Sequence, residues 1–150
     1  MKILLPVDGT ELSLHETRFA LHLLREGLQA SVLLVNVQEP ASFYEMVTAD
    51  TPELIEDAAL EAGEDLIAPA AELLRAAGVR FESAIVQGDP AQAMLELIEE
   101  HQCDMVVMGS RALGPIRRWL EGGSTSQRLV QSSPVPVLLV TPPAADENQA

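Results

Sequence analysis

The residues with chemistry to offer stand at the ends of apolar runs. Asp8-Gly9 follows "KILLPV", Val37 closes "SVLLVNV", Gly88-Asp89 follows "RFESAIVQ", and Met108-Gly109 closes "DMVVMG". An acidic residue at a strand end can accept hydrogen bonds from a sugar hydroxyl. Glycines beside a helix amino terminus offer bare N–H groups and a favourable dipole to phosphate. The stretch "MGSRALGPIRRWLEGGSTSQR" (108–128) adds positive charge: it holds Arg111, Arg117, Arg118 and Arg128, four of the nine basic residues, with Glu121 its only acid. In a chain of net charge -14, that local gathering suits a polyphosphate. The same residues also admit a purely structural account, with Arg117 and Arg118 as a solvated patch, Gly122-Gly123 as a turn and Ser124 as a helix cap.

Strand-length apolar runs alternate with segments of helical period. Strands are expected at 2–7, 31–37, 80–87, 104–109 and 135–140. Helices are expected from Ser13 to about Glu26, over 54–77, from Pro90 to about Glu100, and near 125–132. Ser13 with Glu16, Asp89 with Gln92, and Ser124 with Gln127 each form a capping-box pattern, and Pro52 and Pro90 suit a first helical position. In the first helix Leu12, Phe19, Leu23 and Gly27 fall on one side, and Pro69 should kink or divide the second. Near-continuous Val, Ile and Leu runs mark strands covered on both faces, so the expected fold is a doubly wound α/β domain with five parallel strands. Ligands of such sheets sit outside the carboxyl ends of the strands, which makes the residues above converge on one crevice.

Composition narrows the function. The 150 residues read as one domain over 1–143 with a loose tail at 144–150. The acidic balance opposes nucleic acid and anionic membranes as partners. No apolar run approaches the ~20 residues of a bilayer span, and "MKILLPVDG" lacks the features of a signal peptide, so a cytoplasmic location is expected. The single cysteine, Cys103, fits a reducing compartment and reads as a packed thiol. His15, Arg18, His22 and Arg25 form one helix stripe that reads as a solvated face; without an i, i+4 histidine pair, no metal site is expected. Neither a G-x-S-x-G elbow nor a Walker loop is present. Asp8 and Asp89 read as a strand-end ligand contact and a helix cap in preference to an acid/base pair. The long segment from Gln38 to Glu53, with Phe43, Tyr44 and Met46, reads either as a lid or partner surface over the crevice or as disorder. "VPVLLV", Val135 to Val140, is an apolar edge that a homodimer would cover.

Three segments, "ILLPVDGTELS", "QGDPAQAMLELIEEHQCDMVVMGSR" and "GSTSQRLVQSSPVPVLLV", follow in the order found in the universal stress protein family, which the chain resembles over nearly its whole length. The resemblance implies a Rossmann-like sheet of order 3-2-1-4-5, of the adenine nucleotide alpha hydrolase type, and dimers joined through the last strand. In one branch it implies ATP, with or without Mg2+, in the crevice. Carried over, Asp8 would meet the ribose, Val7 and Val37 the adenine, and Gly109, Gly123, Ser124 and Thr125 the phosphates. Pro6, Gly88 and Met108 at strand ends, with Arg111, Ala112 and Ser126 around the loop, complete the candidate nucleotide-binding set.

The nucleotide-binding branch carries G-x2-G-x9-G-[S/T], and this chain departs from it. Ala112 stands at the second glycine, and ten residues, Leu113 to Gly122, precede Gly123-Ser124. Alanine in a left-handed conformation costs on the order of 1 kcal/mol, or about tenfold in affinity or less. The expected function is a cytoplasmic homodimer binding an adenine nucleotide as a stress-response or signalling switch. No catalytic residue is assigned; at most, slow hydrolysis or self-phosphorylation on Ser124, Thr125 or Ser126 is expected. The rival is a nucleotide-free interaction protein of the same fold. A third reading, an ATP pyrophosphatase-like enzyme, needs a dedicated acid/base group or nucleophile near the first strand, where "PVDGTELS" offers only Asp8 and small hydroxyls.

Overall fold

Unbroken Val, Ile and Leu runs become strands because both of their faces are covered. The computed structural model describes residues 1–38, 52–109 and 125–142, with the side chains of 52–55 excepted. Within them the chain runs β1 (Lys2–Pro6), α1 (Glu11–Arg25), β2 (Ser31–Gln38), α2 (Pro52–Ala76), β3 (Phe81–Gln87), α3 (Pro90–His101), β4 (Met105–Gly109), α4 (Thr125–Ser132) and β5 (Val137–Val140). The strands form one parallel sheet of order β3-β2-β1-β4-β5, in agreement with the order the family resemblance implies. The reversal of winding falls between β1 and β4.

Alternation along the strands divides the interior into two cores. Ile3, Leu5 and Val7 point to one face, where Ala20 and Leu21 of α1 and Ile67, Ala70 and Leu74 of α2 cover them. Leu4, Leu33, Val35, Val106 and Met108 point to the other, against Met94, Leu97 and Ile98 of α3 and Leu129 of α4. Cys103 is buried in this second core, and burial pushes its thiol pKa up, consistent with a packed thiol. Among the described residues no helix is long and apolar enough to cross a membrane.

Several local expectations need correction. The first helix starts at Glu11, not Ser13: Thr10 is the N-cap and its side chain accepts the Ser13 N–H. Its buried face is Ser13, Glu16, Thr17, Ala20 and Leu21, while Phe19 and Leu23 only flank the core. Of the stripe His15, Arg18, His22 and Arg25, the last three are exposed, as expected of a solvated face, and His15 is half-exposed. The second helix runs through Pro69 without division. Pro69 lies on the exposed side, where the carbonyl it cannot bond is available to water. The last strand begins later than Val135, because the Val135 N–H turns to Ser133 Oγ (3.1 Å). Pro136, which lacks an N–H, still offers its carbonyl to Val106 N (2.9 Å).

Candidate functional site

At the carboxyl end of β1 the chain folds back on itself through polar contacts. Asp8 Oδ1 accepts hydrogen bonds from Thr10 N (3.1 Å), Thr10 Oγ1 (2.6 Å) and Ser13 Oγ (2.5 Å). Ser13 Oγ in turn accepts the Asp8 N–H at 2.8 Å. The residues of the expected capping box therefore serve another purpose: Ser13 fixes Asp8, and Thr10 caps the helix. Gly9 makes the turn with φ +79, a conformation that strains any L side chain, and a Cβ there would press on Leu66 Cδ2 at 2.7 Å.

Pro6 is half-buried and Val7 buried, with the Val7 N–H donated to Val35 O at 2.8 Å. The Val7 carbonyl accepts from Asn36 Nδ2 at 2.9 Å, and Asn36 Oδ1 accepts from Gln38 Nε2 at 3.1 Å. Asn36 is the polar interruption in "SVLLVNV"; that signal was available in the sequence, and it marks a side chain that ties the ends of β1 and β2 together. Val37 is half-buried at the end of β2, opposite Val86 of β3.

On the far side of β1, Met108 is buried and Gly109 ends β4. A Cβ on Gly109 would stand 2.7 Å from Leu12 Cγ, so the first turn of α1 packs directly on this backbone. One turn later on α1, Glu16 is buried at 4% exposure. Burial pushes its carboxyl pKa up to about 9, against the opposing pull of a hydrogen bond from the Gly109 backbone. In the sequence it stands three residues after Ser13, as the acid of a capping box would, and four after Leu12, on the inner side of α1.

The third strand end joins the fourth helix. Asp89 caps α3 by accepting the Gln92 N–H at Oδ2 (3.0 Å), and its Oδ1 accepts from Arg128 Nη1 of α4 (2.8 Å). Arg128, then the Gln92 N–H, holds the Asp89 carboxyl below its usual range. The Gln92 side chain bonds Glu96, so the cap is one-sided and not a reciprocal box. Gly88 precedes this cap and donates its N–H to Gln38 O (2.9 Å). At the start of α4, Thr125 is half-exposed and Ser126 buried.

Asp8, Leu12 and Gly109 thus gather around the first turn of α1, while Gly88 and Asp89 join α4 through Arg128. Arg111, Ala112, Gly123 and Ser124 lie outside the described residues, as do Arg117, Arg118, the segment 39–51 and the tail 144–150. Among the described residues no group of three His, Cys, Asp or Glu is placed to hold a metal. A groove of about 530 Å³ lies at the opposite end of the sheet, lined by Leu95, Ile98, Cys103 and Val135 among others. It contains none of the strand-end residues.

Comparison with known proteins agrees with this architecture. The family model described as universal stress protein family matches residues 1–141. The chain belongs to the universal stress protein family. A universal stress protein of Thermus aquaticus is 36% identical, over 92% of this chain and 96% of the relative. A universal stress protein solved in complex with cAMP superimposes with a TM-score of 0.71 at 23% identity, covering 93% of this chain and 96% of the other. A universal stress protein family protein from Arabidopsis thaliana with AMP bound gives a TM-score of 0.69 at 21% identity, covering 98% of this chain and 94% of the other. At these identities the two structures establish the shared fold.

Proposed function

We propose that the crevice at the carboxyl ends of β1, β2 and β4 binds an adenine nucleotide, ATP foremost, and that the protein acts as a nucleotide-responsive switch in the cytoplasm. The observation that carries this reading is the arrangement of Asp8. Its carboxylate is held at the end of β1 by Thr10 and Ser13, beside the helix turn that packs on Gly109. An oriented carboxylate suits the paired hydroxyls of a ribose, and the carboxyl ends of the strands are where parallel sheets of this kind bind their ligands. Two proteins of the same fold carry cAMP and AMP, which supports the ligand class.

In this reading Pro6, Val7, Val37 and Met108 wall the base, Gly88 and Gly109 flank the crevice, and Thr125 lies on the phosphate side with Arg111, Ala112, Gly123, Ser124 and Ser126. We assign no catalytic base, and efficient turnover is not part of the reading. Of the helix hydroxyls considered as phosphoryl acceptors, Ser126 is buried at 5% exposure and poorly accessible to a phosphoryl donor, whereas Thr125 is half-exposed. The β5 edge, which among the described residues pairs with β4 alone, is the surface through which we propose the homodimer forms.

Calorimetric titration of nucleotide-stripped protein with ATP and magnesium tests the site, with Asp8→Ala as the paired variant. Saturable micromolar binding that Asp8→Ala abolishes is the expected result. No binding up to millimolar ATP overturns the reading and favours a protein-interaction role, with Ala112 and the extra loop residue as its sequence mark.

A further inference from the structure

Asn36 interrupts the apolar run of β2, and at 3% exposure it is buried. A buried amide is tolerated only when its hydrogen bonds are made, and here they run to one particular peptide. The paired register of β1 and β2 ends at Pro6↔Val35, and just past it Asn36 Nδ2 donates to Val7 O at 2.9 Å. Val7 O can only accept, so the amide must turn its NH2 that way, and its Oδ1 then accepts from Gln38 Nε2 at 3.1 Å. Gly63 of α2 closes over the pair: a Cβ there would stand 3.0 Å from Gln38 Nε2 and 3.2 Å from Asn36 Oδ1. The other edge of the same peptide is held as well, because the Asp8 N–H donates to Ser13 Oγ at 2.8 Å.

We propose that Asn36 is a positioning residue for Asp8, acting through the Val7–Asp8 peptide. A peptide is planar, so bonds at its two edges, Asn36 on the carbonyl and Ser13 on the N–H, fix its rotation about the line joining the two Cα atoms. That rotation sets the direction in which the Asp8 side chain leaves the backbone. Thr10 and Ser13 then hold the carboxylate at its tip through Oδ1. Asp8 is thus set from β2 at its root and from the start of α1 at its end. The hold on the peptide stands on these hydrogen bonds alone; its consequence for a ligand rests on the nucleotide reading of the crevice, in which Asp8 meets the ribose hydroxyls.

The test uses the full chain with two substitutions. Asn36→Leu keeps the branched shape and removes both amide groups, and Gln38→Met keeps Asn36 but releases its oxygen. Amide hydrogen exchange at Asp8 should become about tenfold faster in Asn36→Leu and about threefold faster in Gln38→Met. Calorimetry then compares ATP with 2′,3′-dideoxy-ATP, which lacks both ribose hydroxyls. ATP affinity should fall about five- to tenfold in Asn36→Leu, the loss of one hydrogen bond, while dideoxy-ATP affinity stays within about twofold of wild type. Unchanged exchange at Asp8 overturns the hold on the peptide. Undiminished ATP affinity, or equal weakening of both nucleotides as a general loss of structure would give, overturns the positioning of Asp8 for ligand. Faster exchange in a protein that binds neither nucleotide, wild type included, supports the hold while removing the nucleotide reading. Should circular dichroism show that Asn36→Leu does not fold, Gln38→Met decides by the same comparison, with a fall of about two- to threefold for ATP alone.

Discussion

Glu16 ties stability to pH. Its ordinary value is 4.5 and burial raises it to about 9 in the folded protein. Below the lower value the group is neutral in both states and has no effect. Between the two, the unfolded chain releases the proton while the folded protein keeps it, so stability falls as pH rises, by about 1.4 kcal/mol per pH unit; above the folded value the loss is complete. The elements packed on α1 present no charge that would reverse this. β4 and β5 carry no ionisable side chain, Lys2 sits at the far end of β1, the described acids of α2 are exposed, and Asp8 is engaged by Thr10 and Ser13. On α1 itself Glu11 and Arg18 are exposed and His15 half-exposed. Glu16→Gln should therefore be more stable than wild type at neutral pH, by an amount that widens from pH 5.5 to 8 in urea denaturation. A difference that stays constant with pH would show that Glu16 is ionised in the folded protein. At the same scale, Ser13→Ala removes the hydroxyl that donates to Asp8 and leaves the carboxylate less firmly oriented. ATP affinity in calorimetry should fall several-fold, short of the loss caused by Asp8→Ala.

At the scale of elements, the decisive contact is α1 against the end of β4. Gly109→Ala places a methyl 2.7 Å from Leu12 Cγ, a branch point that cannot swing away as a chain end would. Overpacking of this kind costs about 1–3 kcal/mol. Thermal unfolding should show that loss and show it substantially relieved by adding Leu12→Ala, because the clash is pairwise; independent additive losses would place the strain elsewhere. Across the sheet, Asp89→Ala removes both the α3 cap and the partner of Arg128, so its melting temperature should fall further than that of Arg128→Ala, which leaves the cap intact.

These contacts also show what could be read from residues alone. The strands were legible because "KILLPV", "SVLLVNV" and "DMVVMG" bury both faces, and Asp89 was legible as a cap because a cap is local. The start of α1 was not: Ser13 looks like a cap by spacing, but Asp8 claims its hydroxyl through the fold of the β1–α1 turn. Glu16 resembled the returning acid of that same box and instead points inward. Pro69 suggested a divided helix, but its exposed setting lets α2 continue. Periodicity and spacing carry local preference; what each polar group finally bonds is decided by neighbours distant in sequence.

At the scale of the whole molecule, β3 and β5 are the two sheet edges, and they differ in character. β3 exposes Glu82, which pairs with Lys2 at 3.0 Å, and a charged edge resists further strand pairing. β5 carries Val137, Leu138 and Leu139, all half-buried and uncharged, which makes it the edge suited to a second copy. The net charge of -14 opposes bringing two copies together, so association must come from apolar contact and backbone pairing while like charges repel at longer range. The dimer should therefore tighten as salt screens that repulsion, the opposite of an interface built on ion pairs. Sedimentation equilibrium at micromolar concentration should show a dimer whose dissociation constant falls between 20 mM and 200 mM sodium chloride. Val137→Lys, a charge on the edge itself, should shift the protein to monomer without lowering the micromolar ATP affinity expected of each crevice. A wild-type protein that sediments as a monomer at both salt concentrations would remove β5 as an interface, and a dimer that weakens with salt would assign the contact to charged surfaces instead.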